Sequence, residues 1–144
     1  LTLIPLLFLL AGCSATVNIE ATVDSNDPLC AEVSVRFPDQ IADLSQRYTN
    51  AQATTAYGDP AAVLVRCGLE PVFASTLPCV TASEIDWLVD DSGAPNFRFV
   101  TFGRSPALEV IVDSESASGI SALDALSQAV SRLPASAYCT EVTN

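Results

Sequence analysis

Residues 97–113 read FRFVTFGRSPALEVIVD. Two runs rich in aromatic and β-branched residues, Phe97–Phe102 and Ala107–Asp113, flank Gly103-Arg104-Ser105-Pro106, a four-residue connection of turn formers. Such side chains suit a pleated, half-buried surface, and a connection of this length and composition joins antiparallel neighbours. An antiparallel hairpin is therefore expected, and its neighbours follow from periodicity. Upstream, Ile85, Trp87 and Val89 alternate with Asp86, Leu88 and Asp90, which predicts a third strand ending in an Asp91-Ser92-Gly93 turn, with Trp87 in the core. Ala62–Cys67 is apolar and β-branched behind the turn Tyr57-Gly58-Asp59-Pro60, as an interior strand would be.

Toward the N-terminus, Val33, Val35 and Phe37 alternate with Glu32, Ser34 and Arg36, predicting a half-buried strand over Glu32–Phe37. Ile41, Leu44 and Tyr48 recur at helical spacing behind Asp39, predicting a short amphipathic helix capped by that aspartate. Toward the C-terminus, Ile120, Leu123, Leu126, Val130 and Leu133 form one apolar stripe filled in by Ala122, Ala125 and Ala129. This predicts a closing helix that Ser118 caps and Pro134 stops. Strands grouped between two helices give an α+β fold, a mostly antiparallel sheet of about five strands with two helices packed on one face.

The 144 residues, 49% hydrophobic and 16% charged, fit one domain. Six cations against 17 carboxylates leave a net charge of −11, and all six cations are Arg. Without His or Lys, the Ser-His-Asp, Cys-His, Ser-Lys and Schiff-base mechanisms cannot be assembled. No P-loop or dinucleotide fingerprint occurs, so no cofactor is expected. The acidic balance without a basic stripe excludes nucleic acid as a partner, since phosphate binding relies on clustered cations.

Leu1–Gly12, LTLIPLLFLLAG, is apolar and uncharged, too short for a helix across roughly 30 Å of hydrocarbon, and reads as a signal-peptide core. It ends in Leu10-Ala11-Gly12-Cys13, which looks like a bacterial lipobox, making Cys13 the lipidated residue after cleavage. The missing Met and basic n-region point to a start downstream of the true one. Residues 14–29 read as a solvated tether between this anchor and one domain over 30–144. Asp24, Asn26 and Asp27 lack the glycine and terminal glutamate of a calcium loop. Lipidating Cys13 leaves Cys30, Cys67, Cys79 and Cys139, an even set with three possible connectivities. Cys67 with Cys79 and Cys30 with Cys139 is the favoured pairing. No zinc or other metal site is expected, because neither C-x-x-C spacing nor His is present.

VRFP at 35–38, YGDPAAVLVRCG at 57–68, Cys79, IDWL at 85–88, FVTFGRSPALEV at 99–110 and CT at 139–140 together resemble the actinobacterial domain-of-unknown-function family 3515. The resemblance covers roughly Cys30–Thr140 and implies a small membrane-associated or secreted protein. It implies no established activity and carries over no catalytic residue.

Two constellations remain as candidate chemistry. Glu84, Asp86, Asp90 and Asp91 are the densest carboxylates, and paired carboxylates cleave glycosidic bonds, although solvated surface charge is the favoured reading of such a cluster. Arg36, Arg66 and Arg98 lie opposite the apolar residues of the expected strands, and Arg104 occupies the hairpin connection. Converging on one face, these four would bind an anion through bidentate guanidinium contacts, with Arg104 the foremost contact; cross-strand pairing with Asp86 or Glu109 is the favoured reading. The expected function is a lipid-anchored protein on the outer face of the bacterial cytoplasmic membrane. There it acts as a non-catalytic binding or accessory factor for an envelope protein or an anionic ligand. A carboxylate-based hydrolase of envelope glycans and a passive structural spacer are the alternatives.

Overall fold

The computed structural model describes residues 15–140. Along the chain run α1 (Pro28–Ser34), β1 (Gln40–Ile41), β2 (Leu44–Arg47), β3 (Thr54–Tyr57), β4 (Val63–Leu69), β5 (Cys79–Ala82), β6 (Ile85–Asp90), β7 (Asn96–Thr101), β8 (Ala107–Asp113) and α2 (Gly119–Val130). The expected hairpin is present as β7 and β8. It lies inside one sheet ordered β1-β2-β3-β4-β8-β7-β6-β5, antiparallel throughout. Two meanders, β1–β4 and β5–β8, are stitched where β8 pairs with β4. Five expected strands become eight because β1, β2, β3 and β5 have at most four residues each, too few to display a period.

One face of the sheet carries the core. Val63 and Val65 of β4, Leu108, Val110 and Val112 of β8, Phe99 of β7 and Trp87 of β6 pack there against Leu123, Leu126 and Val130 of α2 and Val33 of α1. Each fully buried Leu or Val adds roughly 1.5–3 kcal/mol by leaving water. Ser118 caps α2 by accepting from the Ser121 N–H. Trp87 is wholly buried, as expected, with an unpartnered indole N–H. No helix among the described residues is long and apolar enough to cross a membrane.

Two expectations fail near the N-terminus. Glu32–Phe37 is not a strand: residues 28–34 are helical, started by Asp27, which accepts the Leu29 N–H, and by Pro28 at the first position. An Asp-Pro start outweighs three alternating apolar residues, because proline's fixed φ and the aspartate cap prepay the first turn. Only Val33 of that alternation is buried, and Val35 is 78% exposed. Nor are Ile41, Leu44 and Tyr48 helical. Ile41 and Leu44 are cross-strand partners around a two-residue turn, with Ala42 at φ 52°, so their three-residue spacing belongs to a hairpin. Tyr48 points to solvent.

All four domain cysteines are paired, but as Cys30–Cys67 and Cys79–Cys139. This corrects Cys67–Cys79 and Cys30–Cys139. Strands β4 and β5 are four strand spacings apart, about 19 Å, whereas a disulfide needs Cα atoms within about 7 Å. Cys67 instead meets α1 across the core, with Cα atoms 5.6 Å apart. Cys79 points to the opposite face and meets the returning C-terminal segment at 5.8 Å.

Candidate functional site

The face of the sheet away from the helices holds the polar residues that the sequence singled out. Register sets Thr54, Arg66, Glu109, Val100, Leu88 and Cys79 in one row across β3, β4, β8, β7, β6 and β5. Arg98 stands beside that row, opposite Ile111 and diagonal to Glu109. Glu109 is 1% exposed. Arg66 Nη2 donates to both of its carboxylate oxygens at 3.0 and 3.1 Å, and Arg98 Nε donates to Oε2 at 3.1 Å, with Arg98 Nη2 in ion-pair contact with the same oxygen at 3.0 Å. Desolvating a carboxylate this deeply is unfavourable unless charge-assisted hydrogen bonds replace water, and two guanidinium groups supply them.

Of the four expected contact arginines, then, Arg66 and Arg98 converge and the others do not. Arg36 lies in the turn just past α1, paired with Glu32 at 2.8 Å, four residues back. Arg104 is not a solvent-facing turn residue. The chain beyond α2 folds back over the β7–β8 connection: the Ser105 N–H donates to the Pro134 carbonyl, the Ser136 N–H donates to the Gly103 carbonyl, and Arg104 pairs with Ala135. Arg104 is thereby buried and donates to the Leu133 carbonyl at 2.5 Å. Burial lowers its pKa, opposed by Tyr138 and Asp86 nearby. Gly103, at φ 72°, makes the crossing possible, since a Cβ there would strike the Ala137 backbone.

The N-terminal segment closes the other half of this face. Residues 15–27, expected as a solvated tether, are largely exposed yet pinned. Arg47 donates to the Ala15 carbonyl, Thr22 to the Cys67 carbonyl, and the Asp24 N–H to the Gly68 carbonyl. Gly68, at φ 104°, again admits the close approach, because a Cβ would meet the Asp24 backbone. Arg47 escaped notice in the sequence, yet its side chain is only 10% exposed and it ties β2 to Ala15 and Gly58. No local pattern announces a partner 32 residues away.

The four candidate carboxylates are not gathered into a pair. Asp86 is buried with both oxygens engaged, Oδ1 by the Thr81 hydroxyl at 2.6 Å and Oδ2 by the Cys139 N–H at 2.7 Å. Asp90 lies four residues along β6, about 13 Å away, wider than the roughly 5–9.5 Å of sugar-cleaving pairs. Asp90 accepts from the Ser92 N–H, and bonding to Ser92 holds its pKa below the usual carboxylate value, with Arg98 adding to this. Asp91 follows it directly, whereas Glu84 lies in the turn just before β6, at φ 66°. Among the described residues, no three metal-ligating side chains come together. An open cavity of about 970 Å³ borders Cys79 and Cys139, walled by Phe73, Leu77, Leu88, Phe102 and Tyr138. Phe73 is 52% and Tyr138 65% exposed.

This geometry defines a disulfide-linked α+β domain whose second sheet face is closed by residues 15–27 and 134–140. The chain belongs to the family described as protein of unknown function (DUF3515), whose model matches residues 12–138. No curated protein and no solved structure matches it. Within this chain, the RCG glycine and the FGRSP glycine sit where the two end segments cross the sheet, and the aspartate of IDWL holds the C-terminal one. Cys13 and the apolar run before it lie outside the described residues.

Proposed function

We propose that this chain is a lipid-anchored extracytoplasmic protein acting as a non-catalytic binding or accessory factor in the bacterial cell envelope. The observation that carries this is the cysteine arrangement. Two disulfides take four of the five cysteines and leave Cys13, directly behind LTLIPLLFLLAG. Paired structural disulfides belong to oxidising compartments, and a thiol in a lipobox-like setting suits diacylglycerol attachment, whose two chains hold a protein durably at a membrane. The docking surface is the exposed Phe73, Leu77 and Tyr138 group. Its partner is an envelope protein presenting an apolar contact flanked by basic residues, because this chain carries −11 and Glu70 and Asp90 border the adjoining cavity. The arginine face supports an anionic ligand less well, since Glu109 already engages Arg66 Nη2 and Arg98 Nε, and Arg66 Nη1 donates to the Glu20 carbonyl.

Expressing the native gene with Cys13→Ala tests the anchor: the protein is expected to leave the membrane fraction, and persistent association of the processed variant overturns it. In-cell crosslinking tests docking. An envelope protein captured by the wild type is expected to be lost on Tyr138→Ala and weakened by salt, and a partner indifferent to both refutes the assigned surface.

A further inference from the structure

A second cavity lies at the opposite end of the sheet, just past β2. It measures about 420 Å³ and is bordered by Asp39, Ser45, Gln46, Tyr48, Thr49 and Thr54. Tyr48 is 85% exposed, the most exposed large apolar side chain among the described residues. Part of the lining is spent on the fold. Thr49 and Thr54 share a hydroxyl hydrogen bond of 2.7 Å, Gln46 Nε2 donates to Thr55, and the terminal nitrogens of Arg47 are committed to the Gly58 and Ala15 carbonyls. Other groups make no hydrogen bond or ion pair among the described residues: the Asp39 carboxylate, the Ser45 hydroxyl, the Gln46 side-chain carbonyl and the Tyr48 phenol.

We propose that this cavity binds a neutral glycan chain, one sugar ring stacked on Tyr48 and its hydroxyls donating to Asp39 and the Gln46 carbonyl. A pyranose has an apolar face that covers an aromatic ring and a rim of hydroxyl donors, and the unspent groups here are an aromatic face beside acceptors. Charge selects the neutral class. Arg47 is the cation at the cavity and its terminal nitrogens are occupied, while Asp39 and the net charge of −11 repel anionic chains. The site goes beyond the docking surface and rests on the proposed function only for its extracytoplasmic setting.

The full chain in detergent is titrated with three probes: chitotetraose, the anionic tetramer of galacturonate, and tetralysine. Saturable binding of chitotetraose alone is expected, weakened about tenfold by Tyr48→Ala and also by Asp39→Asn. Both side chains are exposed, so these variants leave the fold intact. Absence of chitotetraose binding at millimolar concentration overturns the proposal. So does binding that Tyr48→Ala leaves unchanged, or a preference for either charged probe. Tyr138→Ala leaves this titration untouched, which separates its failure from failure of the docking surface.

Discussion

The two faces of the sheet are covered by different means. The inner face is covered by α1 and α2, regular elements that present an apolar stripe to the sheet, so burial of that stripe does most of the fastening, with the Cys30–Cys67 bond and the Ser83–Asp124 hydrogen bond added to it. The outer face is covered by irregular chain, residues 15–27 and 134–140, which has polar backbone to satisfy and little apolar surface to contribute. It is fastened by discrete anchors instead: Thr22 to Cys67, Asp86 to Cys139, and Arg104 to Leu133. Each face also has its own disulfide, Cys30–Cys67 inside and Cys79–Cys139 outside. A layer without periodic structure is held point by point, and its polar residues are buried for that reason rather than for chemistry.

The largest effects should come from the disulfides. Spanning 37 and 60 residues, each is expected to contribute about 4 kcal/mol in the chain-entropy model. Hydrogen exchange distinguishes them: Cys79→Ser with Cys139→Ser should raise exchange chiefly at Ser136 and Cys139, whereas Cys30→Ser with Cys67→Ser should raise it through the core. Uniform exchange in both variants would erase the contrast between the faces.

Glu109→Gln comes next. Breaking a buried ion pair costs about 3–5 kcal/mol, and partial exposure of Arg66 and Arg98 brings the expectation to about 2–3 kcal/mol in denaturant unfolding. Leu123→Ala on the inner face should match it at about 3 kcal/mol through cavity formation, an apolar route to the same loss.

Tyr57, wholly buried on the inner face, donates to the Pro38 carbonyl at 2.8 Å. Tyr57→Phe should cost about 1 kcal/mol at neutral pH. Burial raises its pKa above the ordinary tyrosine value, with the Thr55 hydrogen bond partly opposing. The neutral phenol therefore stabilises the fold fully below about pH 10, and that contribution is lost as pH climbs further, because the unfolded chain ionises first. Thermal melts should show an alkaline decline that Tyr57→Phe flattens. Smallest is the exposed Glu32–Arg36 pair, where Glu32→Ala should change stability by under about 0.5 kcal/mol.

The elements legible in the sequence were those long enough to repeat a period. In the β7–β8 hairpin, β6 and β4, alternate residues face the helices, and α2 turns every third or fourth residue to the sheet. The region 28–48 misled because short runs satisfy two periods at once, and Asp27-Pro28 was the stronger signal there. Of the site, the placement of Arg66 and Arg98 on the face away from the helices and their pairing with Glu109 were within reach of strand alternation. The burial of Arg104 and the tie between Asp86 and Cys139 were not, because their partners come from residues 29 and 53 positions away.

By itself, the sequence determined the α+β class, the central hairpin, the closing helix, the family, and a charge and residue inventory that removes His- and Lys-dependent chemistry. These properties are local or additive, so they survive without coordinates. Tertiary structure alone decided which cysteines pair, which arginines reach solvent and which carboxylates stand alone. Each of those depends on the order of strands in the sheet and on which face a returning segment crosses, and neither is encoded by spacing along the chain.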